Sequence, residues 1–177
     1  MFQLELPVEL VLLAKAPWPA LPVLAGRLAA GLTRLATAAP AGSVFGLHLC
    51  IGDMNNKAFG TMTDVAPLVA LSNAIVAGWP RGQRLAYVHA PFAAADQPAT
   101  TDPAFYAPLD GLRLPDGTTF VAGFAHESQA LADQLTVRSL IEDRLGHAVD
   151  ISAACGLGRR TQGDGRAVLE RTAELLD

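Results

Sequence analysis

Cysteine is scarce in this chain: there are two in 177 residues, Cys50 and Cys155, far apart in sequence. A disulfide framework needs more of them, and nothing in the sequence indicates secretion. The expected setting is therefore reducing and cytoplasmic, where thiols serve as buried fillers, ligands or nucleophiles. Basic runs are missing too, and the net charge is −4, so the chain lacks the electrostatic footprint of a nucleic-acid binder. The apolar stretches are broken by proline or charge, and none reads as membrane-spanning. Met1 to Leu13 is apolar but has no basic segment ahead of it, so a signal peptide is not expected. Neither a G-x-S-x-G elbow nor a phosphate-binding P-loop occurs. Gly156-Leu157-Gly158 opens like a dinucleotide fingerprint, but Thr161 stands where the third glycine belongs.

What is present is a great deal of apolar side chain, 51% of residues against 17% charged, with mean hydropathy +0.30. That excludes a disordered chain and is enough for one domain, residues 1–177, with a real core. One grammar recurs without a strict repeat: apolar strand, loop, helix, strand. The strands are read at Phe2 to Leu6, Val44 to Cys50, Leu85 to His89, Thr118 to His126 and Ala148 to Cys155. Most are apolar on both faces, as in a parallel sheet covered on both sides. Helices are read at Leu21 to Ala38, with Leu24, Leu28, Leu32 and Leu35 inward, and at Asp64 to Ala77, capped by Thr63. Ser128 is expected to cap a third helix ending at Leu145, with Leu131, Leu135, Ile141 and Leu145 inward, and Asp164 to cap a last one, Gly165 to Leu176. Ala93 to Leu114 is proline-rich and reads as an irregular loop or lid. Alternating strands and helices predict an α/β fold of the (β/α)8 type. With about five βα units it is a partial barrel, since closure takes eight strands and about 250 residues. The abrupt start in a strand-like segment suggests that an N-terminal part is missing.

Three of the four histidines, His48, His89 and His126, fall at or near the C-terminal ends of different strands, and so do both cysteines. In a parallel sheet those ends share one edge of the molecule, which is where such folds do chemistry. His48 and Cys50 are two apart on one strand, so their side chains point to the same side. An imidazole and a thiolate so placed can chelate one ion, and Cys155 offers a second thiolate. Two sulfurs and one or two nitrogens suit tetrahedral zinc. Arg159 and Arg160 follow closely; either they hold a carboxylate or phosphate, or they are a solvated pair. Asp53 either orients His48, binds a substrate amine or caps a turn. His147 reads as a surface residue, Trp79, Phe105 and Tyr106 as packing, and Met54 and Met62 as loop packing.

His48-Leu49-Cys50-Ile51-Gly52-Asp53 and Cys155-Gly156-Leu157-Gly158-Arg159-Arg160 resemble the zinc-ligand segments of cobalamin-independent methionine synthase. The similarity is to the last five strands of its C-terminal catalytic barrel and to the shorter methionine synthase-like proteins. It implies a zinc-dependent methyltransferase of methionine biosynthesis, passing a methyl group from a methylated folate to a thiol such as homocysteine. Gly123-Phe124-Ala125-His126-Glu127-Ser128 resembles the strand that ends in a His-Ser pair, which implies proton transfer by His126. Phe2-Gln3-Leu4-Glu5 resembles a strand that helps hold substrate, which assigns Glu5 to substrate together with Asp53 and Arg160. The family's remaining zinc ligand is a glutamate on the strand where this chain has Tyr87-Val88-His89. Either His89 takes its place as ligand, or the substrate differs, or the methionine synthase reaction is lost. Two other classes stand beside this one: a non-catalytic remnant or subunit that self-associates or needs a partner chain to complete the barrel, and a metal-free enzyme of the uroporphyrinogen decarboxylase type.

Overall fold

The computed structural model describes residues 1–176. In chain order the elements are β1 (Phe2–Leu6), α1 (Pro7–Ala14), α2 (Leu21–Ala38), β2 (Val44–Leu49), β3 (Asp53–Met54), β4 (Lys57–Ala58), α3 (Ala66–Ala77), β5 (Arg84–Pro91), α4 (Pro103–Tyr106), β6 (Thr119–Ala125), α5 (Leu131–Leu145), β7 (Asp150–Ala153) and α6 (Gln162–Glu174). Five strands form one parallel sheet in the order β1-β2-β5-β6-β7, and β3 and β4 make a small antiparallel hairpin. Each long strand is laid down on the same side of the one before. Right-handed crossovers repeated in one direction put their helices on one face of the sheet. The helix-bearing face is accordingly the apolar one: Leu6, Leu47, Leu49, Val88, Ala122 and Phe124 are all fully buried.

The other face is polar, and a bulge makes it so. Phe45 pairs with Leu85 but its neighbour Gly46 pairs with Tyr87, a slip of one residue in β5. A one-residue slip exchanges the faces of every residue after it. It brings Tyr87 beside Gly46 and His89 beside His48, on the side that also carries Gln3 and Glu5 of β1. Two glycines make room there. A Cβ on Gly46 would lie 2.1 Å from the Tyr87 ring, and one on Gly123 would lie 2.6 Å from His89 Nε2 and 2.9 Å from the Ala154 Cα.

The helices sit where the periodicity places them, with shifted faces and caps. In α2 the buried residues are Leu21, Ala25, Ala29 and Ala36; Leu24, Leu28 and Leu32 pack half-buried against the core, and Leu35 is 57% exposed. Small side chains let this helix lie close on α3, so the leucines flank the contact rather than fill it. The start of α3 is closed by Asp64 Oδ1, which accepts from Ala66 N–H at 2.8 Å, and not by Thr63. Ser128 does not cap α5; its N–H and hydroxyl go to His126 instead. The last helix starts earlier, capped by Thr161, which accepts from Asp164 N–H and bonds its carboxylate in return. Residues 93–114 are no loose lid: they hold α4 and bury Tyr106, Leu109 and Leu112 in the core. α1 and the β3–β4 hairpin have no counterpart in the sequence reading. Trp79 packs edge-on against Phe45, and His147 is exposed. No helix among the described residues is long and apolar enough to cross a membrane.

Gly123→Ala should cost about 1–3 kcal/mol in urea unfolding, the usual price of overpacking against backbone. Gly26→Ala, on the exposed side of α2 with nothing near its Cβ, should instead gain up to about 1 kcal/mol.

Candidate metal centre

His48 lies near the end of β2, Cys50 just past it and Cys155 two residues past β7. The parallel order turns these three positions toward one another, and their ligand atoms all lie within 4.8 Å. Cys50 Sγ and Cys155 Sγ are 3.5 Å apart across 105 residues of sequence, and both thiols are free. Two sulfurs on one tetrahedral zinc, with Zn–S bonds near 2.3 Å, stand about 3.8 Å apart. The donor set therefore fits an ion with little rearrangement.

Hydrogen bonds fix how His48 presents itself. His89 Nε2 is 2.9 Å from the carbonyl oxygen of Ala153, which can only accept, so Nε2 carries a proton. His89 Nδ1 is 2.6 Å from His48 Nδ1. Burial, and after it the neighbouring His48, lower the pKa of His89 to about 4, so the ring is neutral and its Nδ1 accepts. His48 Nδ1–H is then the donor, and His48 Nε2 is the nitrogen left for an ion. This is the arrangement that ordinarily orients a metal-binding histidine. His89, expected to complete the ligand set, lies beside it instead: one ring nitrogen bonds His48 and the other the Ala153 oxygen.

The two sulfurs share protons unequally. The hydrogen bond from Cys50, and next the His48 ring, hold Cys155 well below the ordinary thiol range. The same bond, with burial, pushes Cys50 far up. One thiolate next to one thiol is what two like groups settle into when a second charge is too costly. A bound cation removes that cost, and both sulfurs can then ionise.

Glu5 borders the group. Gln3 Nε2 donates to Glu5 Oε1 at 2.5 Å, and Tyr87 O–H donates to Gln3 Oε1. Glu5 Oε2 is 3.7 Å from His48 Nε2. Two cavities reach the sulfurs. One, of 610 Å³, lies over the polar face between Gln3, Glu5, His48, His89 and Cys155. The other, of 510 Å³, is apolar, walled by Val8, Val11, Leu12 and Phe59, with Cys50 and Cys155 at its base.

The remaining candidates form a second cluster. Asp53, 2% exposed, faces Arg159 at 3.7 Å, and its backbone oxygen accepts from the same guanidinium. Arg160, 1% exposed, lays Nε against both oxygens of Glu127 at 3.1 Å and gives Nη2 to the Ala95 oxygen. It braces the loop after β5 and does not face an open cavity for a ligand carboxylate. His126 is buried; its Nδ1 accepts from Ser128, so the proton sits on Nε2, which has no hydrogen-bond partner. Burial lowers its pKa, with Glu127 pulling the other way. Sequence reasoning missed Gln134, which accepts from His126 N–H and donates to the oxygens of His126 and Gln129, clamping the end of β6. The signal was there, in the spacing of Gln134 with Val137 and Ile141 on one buried helical face.

Compared with protein-family models, curated proteins and solved structures, the chain shows no match.

Two outcomes follow for the metal-free chain. His89 has a folded pKa below its unfolded value, so its contribution to stability is complete above about pH 6.5 and lost as pH falls toward 4. Unfolding free energy should drop by at most about 3 kcal/mol over that window, and the drop should shrink in His89→Asn. Alkylation with iodoacetamide at about pH 6, below the ordinary thiol pKa, should label Cys155 well before Cys50 by peptide mass mapping.

Proposed function

We propose that the chain is the metal-binding part of a thiol methyltransferase of the methionine synthase type, built on part of a (β/α)8 barrel and working in the cytoplasm. One observation carries this reading: an imidazole and two sulfurs from separate strand ends converge within 4.8 Å. Two soft sulfurs with one nitrogen suit zinc over magnesium or calcium, which prefer oxygen. A zinc ion held there would bind an acceptor thiol as thiolate and so supply the nucleophile. The chain's own residues do the rest. His48 presents Nε2 because His89 holds its other nitrogen, and His89 in turn rests on Ala153. The largely apolar cavity that reaches Cys50 and Cys155 would give the carbon chain of an acceptor a wall in Val8, Val11, Leu12 and Phe59. Glu5 lines that cavity and offers negative charge to a substrate amine, and Asp53 holds Arg159 at its rim. His126 holds a proton on its buried, unpartnered Nε2 and is the acid/base candidate. The one-way strand order supports the barrel assignment, since doubly wound sheets reverse direction.

A second reading is favoured by the sheet itself. Both outer strands, β1 and β7, have an open edge among the described residues. Open edges invite pairing, which supports self-association or a partner chain completing the barrel.

Metal analysis of the purified chain should find about one zinc per chain, lost in a Cys50→Ser, Cys155→Ser double variant, as three protein ligands at one site require. Methyl transfer to homocysteine from a methylated folate should depend on the same cysteines. Folded protein that takes up no zinc would end this reading, and gel filtration as a lone monomer would end the second.

A further inference from the structure

Three ligands leave a tetrahedral ion one open position, and the polar face shows what stands next to it. The nitrogen of His48 free for an ion is Nε2. Glu5 Oε2 stands 3.7 Å from it. Nitrogen and oxygen ligands on one tetrahedral zinc stand about 3.4 Å apart, from bonds near 2.0–2.2 Å. Glu5 is paired with His48 across β1 and β2, so the sheet register itself brings the two together. The other oxygen, Oε1, is held by Gln3, which is held by Tyr87. One oxygen of the carboxylate is thus anchored and the second is turned toward the imidazole. Glu5 borders both cavities that reach the sulfurs. Glu5 stands just outside the group whose ligand atoms all lie within 4.8 Å of one another, and its side chain, 57% exposed, has to swing inward to reach an ion held there.

We infer that Glu5 is the fourth ligand of the ion held by His48, Cys50 and Cys155 in the resting protein, with Gln3 and Tyr87 as its supporting hydrogen-bond chain. This rests on the metal-binding reading above and changes the role of Glu5 from substrate contact to metal ligand. The site at rest then has two sulfurs, one nitrogen and one oxygen. As the exposed member of the set, the carboxylate would be the ligand an entering thiol replaces, and once displaced it can take the thiol's proton.

The test uses the full chain, loaded with zinc and separately with cobalt(II) as a visible reporter. Glu5→Gln keeps shape and hydrogen bonding but is a poor ligand; Glu5→His is neutral but able to ligate. Glu9→Gln removes a carboxylate of neighbouring α1 and controls for charge. The expected result is that Glu5→Gln weakens zinc by about 10-fold or more in chelator competition, in the range known for disturbed metal sites, and shifts the cobalt d–d bands. Glu5→His should recover most of the affinity, and Glu9→Gln should leave both unchanged. Equal affinity and identical cobalt spectra in native protein and Glu5→Gln would overturn the inference while leaving the three-ligand site standing. Native protein that binds neither metal would overturn both. Because Glu5 is exposed, its variants should keep the native circular dichroism; a Glu5→Gln loss that Glu5→His does not recover and Glu9→Gln reproduces would assign the effect to charge and also overturn the inference.

Discussion

Two sulfurs 105 residues apart in sequence stand 3.5 Å from each other, and the parallel sheet is what holds them there. Parallel strands end on the same side, so residues just past β2 and β7 can meet, although β5 and β6 lie between those strands. A sheet of three intervals spans roughly 14 Å at 4.8 Å per strand if flat. Contact between residues at its two ends therefore requires the sheet to curl toward its polar face, with the loops after β2 and β7 closing over it. The crossover helices all lie on the other face, because the crossovers run one way, and α6 borders the cavity over the polar face through Val168, Leu169 and Thr172. Site and curvature have the same cause.

Within this frame the slip in β5 decides the chemistry. It turns His89 onto the polar face beside His48, and Gly123 leaves the space in which the His89 ring lies. The bond from His89 to Ala153 ties the ring to β7, the strand that precedes Cys155. One histidine thereby links the two halves of the ligand set: it orients His48 on one side and is fixed by the Cys155 strand on the other. The hydrogen bond to Cys155 and burial keep the proton on Cys50, and a cation bound between the sulfurs would offset the loss of both. The second cluster, Glu127 with Arg160 and Gln134 with His126, ties the loop after β5 and the end of β6 to the segment that follows Cys155.

Much of this was legible in the sequence for simple reasons. Strand and helix alternation is a property of local apolar runs, so the parallel α/β order could be read directly. His48 and Cys50 share a face by the period of a strand, and Cys155 at another strand end completes the group. The role of His89 was not legible, because it depends on a one-residue slip that no local pattern encodes. A histidine at a strand end near two cysteines looks like a ligand until its partners are known. The pairing of Arg160 with Glu127 and of Arg159 with Asp53 joins segments far apart in sequence, so charges that read as free for substrate are already taken. The inward face of α2 was read one row off: Leu24, Leu28 and Leu32 do pack against the core, but the most deeply buried row includes the alanines beside them, and Leu35 faces out.

The central claim is that β2 and the segment after β7 hold one metal ion through both sulfurs and an imidazole. X-ray absorption at the zinc edge of the loaded chain tests this most directly. The account requires two sulfurs at about 2.3 Å and nitrogen or oxygen neighbours at about 2.0–2.2 Å. A zinc surrounded by nitrogen and oxygen alone would contradict it.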